Sequence, residues 1–130
     1  MEQDQIKEIC PGTTQTWIKD GALLVDVREQ NEVDQLAFDA PKIKHIPLSE
    51  FENRYNDIPK NEQVVVVCRM GERSLRAVNF LIHNGFDSNR VVNMKFGLNR
   101  WVSKGFPTIG DPQFILDGSV GDSCCSTSSN

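Results

Sequence analysis

Four consecutive valines, Val64 to Val67, run into Cys68 and a short polar loop, Arg69-Met70-Gly71-Glu72-Arg73-Ser74, which opens a stretch with helical spacing. A run that short with no polar face suits a strand buried on both sides, the pattern of a parallel sheet covered by two layers. Cys68 then stands at the strand's carboxyl end. A strand-to-helix turn aims backbone N–H groups and the positive end of the helix dipole at that side chain, while Arg69 and Arg73 add cationic charge. All three influences favour an anionic, nucleophilic sulfur. The competing reading is a buried structural cysteine followed by an ordinary solvated basic turn.

The remaining composition narrows the class. A chain of 130 residues forms one domain and buries about two-thirds of the surface that its unfolded form exposes. The net charge of −4 and the lack of a basic stripe argue against nucleic-acid binding. Met1-Glu2-Gln3-Asp4-Gln5 has neither the basic nor the apolar region of a secretory signal, and no apolar run approaches membrane-spanning length, so a cytoplasmic protein without membrane contact is expected. Cys10, Cys68, Cys124 and Cys125 show no C-x-x-C spacing, and only His45 and His83 accompany them. Neither a metal site, a disulfide scaffold nor a bound cofactor is expected.

Along the chain, strand patterns alternate with helical ones. Lys7 to Cys10 reads as an edge strand, and Thr13 or Thr14 as the cap of a helix burying Trp17 and Ile18 and ending at Gly21. Ala22 to Val27 suits a buried parallel strand, and Ile43 to Ile46 a short extended piece stopped by Pro47. Ser49-Glu50-Phe51-Glu52 matches a capping box, with Phe51, Tyr55 and Ile58 at helical spacing up to Pro59. After the valine strand, Leu75, Val78, Leu81 and Ile82 share one helical face, and Gly85 is placed to end that helix. Val91 to Met94 is a strand and Leu98 to Lys104 a short helix carrying Trp101. The pattern predicts an α/β three-layer sandwich, a mainly parallel five-stranded sheet with helices on both faces. Ligands in such folds bind at the carboxyl ends of the strands, where Cys68 and Asp26-Val27-Arg28 both fall. Residues 1–111 are expected to form the domain, and the Ser- and Gly-rich residues 112–130 a flexible tail.

In this order and spacing the chain resembles a single-domain rhodanese, a family that moves sulfane sulfur through a cysteine persulfide. Cys68-Arg69-Met70-Gly71-Glu72-Arg73-Ser74 is similar to the family's C-R-x-G-x-R-S loop. Leu24-Val25-Asp26-Val27-Arg28-Glu29 resembles its I-D-V-R-E element, and His45-Ile46-Pro47 its G-H-I-P element. Gly85-Phe86-Asp87, Gly97 before Trp101, and Gly105-Phe106-Pro107 match the usual ending. Lys44 stands where the family usually has glycine, and so does Phe96.

The resemblance implies a rhodanese-like fold and a ping-pong sulfur transfer. Cys68 would take the outer sulfur of thiosulfate or a persulfide donor and pass it to cyanide, a thiol or a protein acceptor. The loop residues Arg69, Met70, Gly71, Glu72, Arg73 and Ser74 would bind the small anionic donor, with Glu72 having no chemical role of its own. Asp26 reads as structural. Arg28, on the rim of the same sheet edge, either reaches the donor or pairs with Glu29 or Glu32. Both histidines and both tryptophans read as structural. The alternatives are a non-catalytic docking module on this fold and a phosphatase or arsenate reductase of the same fold. Phosphatase loops run C-x5-R, whereas here the sixth residue after Cys68 is Ser74 and the arginine comes one position earlier, at Arg73. Cys124 and Cys125 read most simply as part of an unconstrained tail, the alternative being mobile thiols that receive the sulfur or resolve an oxidised Cys68.

Overall fold

The computed structural model describes residues 6–110; the expected tail, with Cys124 and Cys125, lies outside them. The elements in order are β1 (Glu8–Ile9), α1 (Pro11–Lys19), β2 (Leu23–Asp26), α2 (Gln30–Gln35), β3 (Leu36–Phe38), β4 (Ile43–His45), α3 (Phe51–Arg54), β5 (Val64–Val67), α4 (Glu72–His83), β6 (Val91–Met94), α5 (Gly97–Ser103) and β7 (Thr108–Gly110). β1, β6, β5, β2 and β4 form, in that order, a five-stranded sheet whose pairings are all parallel. β5 is its central strand, with Val66 opposite Val25 on one side and Asn93 on the other.

The valines explain the three layers. Successive side chains of a strand face opposite ways, so Val64, Val66 and Cys68 enter one core while Val65 and Val67 enter the other. The first core is closed by Phe51 of α3 and by Ala77, Val78 and Leu81 of α4. The second is closed by Leu98, Trp101 and Val102 of α5, with Trp17 and Ile18 of α1 at its edge. β2 is buried along its whole length for the same reason, both its faces being covered. Among the described residues no helix is long and apolar enough to cross a membrane.

Several local expectations give way to tertiary structure. The first helix begins at Pro11 behind Cys10, and Thr14 is buried with its hydroxyl donating to the Cys10 carbonyl at 3.0 Å rather than capping a helix. The expected capping box at Ser49 does not form. Ser49 gives its hydroxyl and its N–H to the Glu29 carboxylate at 2.8 and 3.2 Å, and the segment splits into a 3-10 turn, the short α3 and a second 3-10 turn. The structure also adds a pairing that the sequence pattern does not offer: α2 stops at Gln35, and Leu36–Phe38 pairs antiparallel with Thr108–Gly110 in a second, two-stranded sheet.

Trp101 ties this small sheet to the main one. Its ring is fully buried, meets Phe38 and Phe106 edge to face with centroids 5.2 and 5.3 Å away, and donates its indole N–H to the Pro107 carbonyl at 2.8 Å. Trp101→Ala is expected to cost about 3–5 kcal/mol, the range for deleting a buried aromatic, and Trp101→Phe clearly less. Denaturant unfolding of the two variants checks this; equal losses would show that the Pro107 hydrogen bond, absent from both, outweighs the packing.

Candidate active site

The polypeptide leaves β5 at Cys68 and re-enters helix at Glu72 by turning through Gly71, whose φ of +100° is in the left-handed region that glycine occupies without strain. That turn brings the chain back over the sulfur. Cys68 Sγ accepts the N–H of Gly71 at 3.1 Å and of Ser74 at 3.3 Å, and the Ser74 hydroxyl oxygen lies 3.3 Å away. The residue is 1% exposed, so these donors act on a sulfur largely removed from water. A cluster of N–H groups at a helix start is an anion cradle, and here its occupant is the cysteine's own sulfur.

The loop's carbonyl groups are held from the other side by α5. Leu98 N–H donates to the Cys68 carbonyl at 2.9 Å and Asn99 N–H to that of Arg69 at 3.2 Å, which satisfies two first-turn donors of that helix. Such close contact needs a residue without a side chain. A Cβ on Gly97 would fall 2.6 Å from the Cys68 carbonyl oxygen and closer still to that of Arg69. Gly71 is similarly confined, since a Cβ there would meet the Phe96 nitrogen at 3.0 Å.

The cations are distributed differently from expectation. Arg73 is not free to meet a donor but forms a two-pronged pair with Glu32 of α2 at 2.8 and 2.9 Å. The hydrogen bond to Arg73 holds the Glu32 carboxyl below its ordinary value against the opposing effect of burial; the same bond holds the Arg73 guanidinium above its own, with the Cys68 sulfur adding a smaller pull. Arg28 does not stand on the rim. It is 2% exposed, and its Nε and Nη2 bind Asp26 at 3.0 and 2.8 Å, because the acid ending β2 must find a partner inside the fold and the arginine two residues on can fold back to it. Its Nη1 lies 3.5 Å from the Glu32 carbonyl oxygen, so Arg28 supports the helix that holds Arg73. Arg69 is half-buried, with Nε 3.4 Å from Asn99 Oδ1. Glu72 is exposed at the start of α4.

Met70 is 55% exposed, and with Leu75, Phe96, Gly71, Glu72, Lys95 and Glu8 it lines a groove of about 280 Å³ beside the loop. Leu75 belongs to this rim rather than to the buried face of α4. Four contributors were not legible as site residues: Glu32 as partner of Arg73, Gly97 and Asn99 beneath the loop, and Asn93. Asn93 donates from Nδ2 to the Gly71 carbonyl at 3.2 Å. The available signal for it was one polar residue in an otherwise apolar strand. His45 and Trp101 are structural as expected, the first binding the Arg28 carbonyl oxygen through Nε2 at 2.7 Å.

Comparison with known proteins agrees with this geometry. Residues 11–104 match the Rhodanese-like domain. A sulfurtransferase of Allochromatium vinosum is 34% identical over 87 residues, covering 67% of this chain and 78% of that protein. The putative sulfur carrier protein YrkF of Bacillus subtilis is 33% identical over 81 residues, but the chain spans only 42% of its length. The crystal structure of a rhodanese-related protein from Thermoplasma volcanium superposes with a TM-score of 0.70 at 26% identity, covering 81% of this chain and 99% of that one. A matching fold, a cysteine at the end of the central strand and a family match over most of the chain together establish that it belongs to the rhodanese-like domain family.

Proposed function

We propose that this protein is a sulfurtransferase in which Cys68 carries one sulfur atom as a persulfide. The observation behind this reading is the pair of loop N–H groups, with the Ser74 hydroxyl, directed at a buried Cys68 Sγ. In the proposed cycle the Cys68 thiolate attacks the outer sulfur of thiosulfate or of a low-molecular-weight persulfide. The donor's S–S bond breaks, its electron pair leaves with sulfite or a thiolate, and Cys68 is left as an anionic persulfide. Cyanide or an acceptor thiolate then attacks the terminal sulfur, and the Cys68–S bond pair returns to the cysteine as thiolate. The attacking thiolate and the persulfide it becomes are both anionic sulfur. A fixed set of N–H donors therefore stabilises each without rearrangement.

Phosphoryl chemistry is the poorer fit. Ser74, the sixth residue after Cys68, donates its N–H back to the sulfur, and Arg73, the arginine beside it, is engaged by Glu32. Arg73 is therefore not free to clasp a tetrahedral oxyanion at the sulfur. A pure docking role would not require the sulfur to be cradled. The exposed groove beside Met70 and Phe96 supports a protein thiol or persulfide as the partner at one half of the cycle.

Cys68→Ser is expected to abolish thiocyanate formation from thiosulfate and cyanide with little change in thermal stability. Intact-mass analysis should find a gain of one sulfur atom on the donor-treated wild type and none on the variant. Turnover by a folded Cys68→Ser protein, or no adduct on the wild type with either thiosulfate or glutathione persulfide, would overturn the reading.

Arg69→Ala is expected to raise the thiosulfate KM about tenfold, the scale of one lost charge-assisted contact, and to flatten the dependence on ionic strength. Steady-state kinetics across salt concentrations test it, with a phosphate monoester as a substrate that should remain unturned.

The Glu32–Arg73 pair gives a pH prediction of definite sign. The Glu32 carboxyl is lowered from 4.5 in the fold, so the pair's stabilisation is present in full above that value and is lost as pH falls through the lower, folded one. Melting curves of wild type and Glu32→Gln should therefore differ near neutrality and converge in acid below 4.5. A gap that persists there would assign the effect to packing instead.

A further inference from the structure

Asn93 is the single polar residue of β6 and is wholly buried. Its amide nitrogen lies 2.8 Å from Glu8 Oε2 on β1 and 3.2 Å from the Gly71 carbonyl oxygen. The Gly71 carbonyl can only accept, so the amide's orientation is fixed with nitrogen toward the loop. The consequence is unfavourable for the oxygen. Asn93 Oδ1 is, among the described residues, the one buried side-chain polar atom without a hydrogen-bond partner. An apolar residue like its neighbours Val91, Val92 and Met94 would avoid that cost entirely. Core packing alone does not account for an asparagine here.

We infer that Asn93 is a positioning residue for sulfur transfer, fixing the Gly71–Glu72 peptide over Cys68 while Glu8 fixes the Asn93 amide. This rests on the reading of Cys68 as the sulfur carrier. The step from side chain to sulfur is geometric. Gly71 has two ends: its N–H donates to Cys68 Sγ at 3.1 Å, and its carbonyl is the group that Asn93 grips. At φ +100° a glycine has access to wide alternatives, so holding both ends removes freedom the residue would otherwise use. A planar trans peptide also points its C=O and its N–H in opposite directions. With the Gly71 oxygen drawn toward β6, the Glu72 N–H is turned away from β6. Among the described residues this N–H makes no hydrogen bond, as befits the first residue of a helix, and it is the donor left over for the second sulfur of the persulfide.

Glu8 is exposed on a two-residue edge strand, whereas Asn93 is in the core and the Gly71 carbonyl belongs to the loop. The three form a line from the sheet edge to the sulfur cradle. Asn93 touches no donor molecule in this scheme. It therefore acts on the formation and survival of the persulfide, and not on capture of the anion.

The test is rapid-mixing measurement of sulfite release and persulfide decay with thiosulfate as the probe, on wild type, Asn93→Asp, Asn93→Leu, Glu8→Gln, Glu8→Ala and Val92→Ala. Asn93→Asp keeps the shape but, as a carboxylate, has no donor hydrogen for either partner and sets its acceptor oxygens against the Gly71 carbonyl and Glu8. It should slow persulfide formation and speed its decay at least tenfold, with the thiosulfate KM within threefold of wild type, and Asn93→Leu should follow it. Glu8→Gln should stay within twofold, because a neutral amide oxygen still accepts from Asn93, and Glu8→Ala should lose about threefold in persulfide lifetime. Val92→Ala weakens the same strand without reaching the loop. If it matches the Asn93 variants in kinetics at an equal fall in melting temperature, the effect is one of stability and the inference fails. Wild-type persulfide kinetics in folded Asn93→Asp or Asn93→Leu would equally overturn it. Should neither fold, an unchanged persulfide lifetime in Glu8→Ala, whose altered side chain is exposed, does the same. A wild type that forms no persulfide at all defeats the sulfurtransferase reading itself, which separates the two failures.

Discussion

β5 is hydrogen-bonded to a parallel neighbour on each side and covered by a separate apolar core on each face, so the backbone arriving at Val67 has no free direction in which to relax. Cys68 inherits that fixed position. In a loop of ordinary mobility, N–H groups spaced around a sulfur would sample many directions, and their stabilisation of an anion would be diluted by reorganisation. Here the first atom of the loop is anchored by the whole sheet. The valines that look like mere core filling are the reason that hydrogen bonds of 3.1 and 3.3 Å can be held on one sulfur.

Anchoring at one end is not sufficient, because the loop has to be gripped from outside as well. Three separate elements do this by different chemistry. α5 takes the Cys68 and Arg69 carbonyl groups with its first-turn N–H groups, a contact available only because Gly97 has no side chain. β6 takes the Gly71 carbonyl with Asn93. α2 takes the side chain of Arg73 with Glu32, and Arg28, itself neutralised by Asp26 in the interior, reaches the carbonyl of that same residue. A buried charge pair such as Asp26–Arg28 is weak evidence for stability, since desolvation offsets much of the attraction. Its position fits better with orientation: Arg28 reaches the Glu32 carbonyl within α2, and the Glu32 side chain holds Arg73.

The strands and the loop were legible because their signals are local. An apolar run, a glycine at a turn and a cysteine at a strand end all lie within a few adjacent residues, and the five-stranded sheet follows from them. What escaped sequence reading depends on partners far apart in the chain. Ser49 looks like a cap for its own helix until Glu29, remote in sequence, accepts its hydroxyl. Arg28 is the exception, since its partner Asp26 is only two positions away; the sequence suits a rim cation equally well, and only the closed fold turns the guanidinium inward. Arg73 meets Glu32 across 41 positions, and Asn93 meets Gly71 across 22. Leu36 to Phe38 carries too few residues to announce a strand, and becomes one only because Thr108 to Gly110 lies beside it.

Phe96 shows how one departure from the family pattern is accommodated. A non-glycine residue at φ +71° is strained by about 1–2 kcal/mol, and among the described residues no other non-glycine side chain adopts a positive φ. The ring itself is 43% exposed, but the Arg100 side chain against it is buried, 8% exposed, and its guanidinium lies 4.2 Å from the ring centroid, a contact worth about 0.5–2 kcal/mol depending on desolvation. The backbone nitrogen of Phe96 also abuts Gly71, so the strained turn is part of the wall that confines the sulfur loop. The contact offsets part of the strain, and what remains is an aromatic ring on the lip of the groove that glycine would have left bare. The ring shapes the groove beside Cys68 while lying outside the set of groups that touch its sulfur.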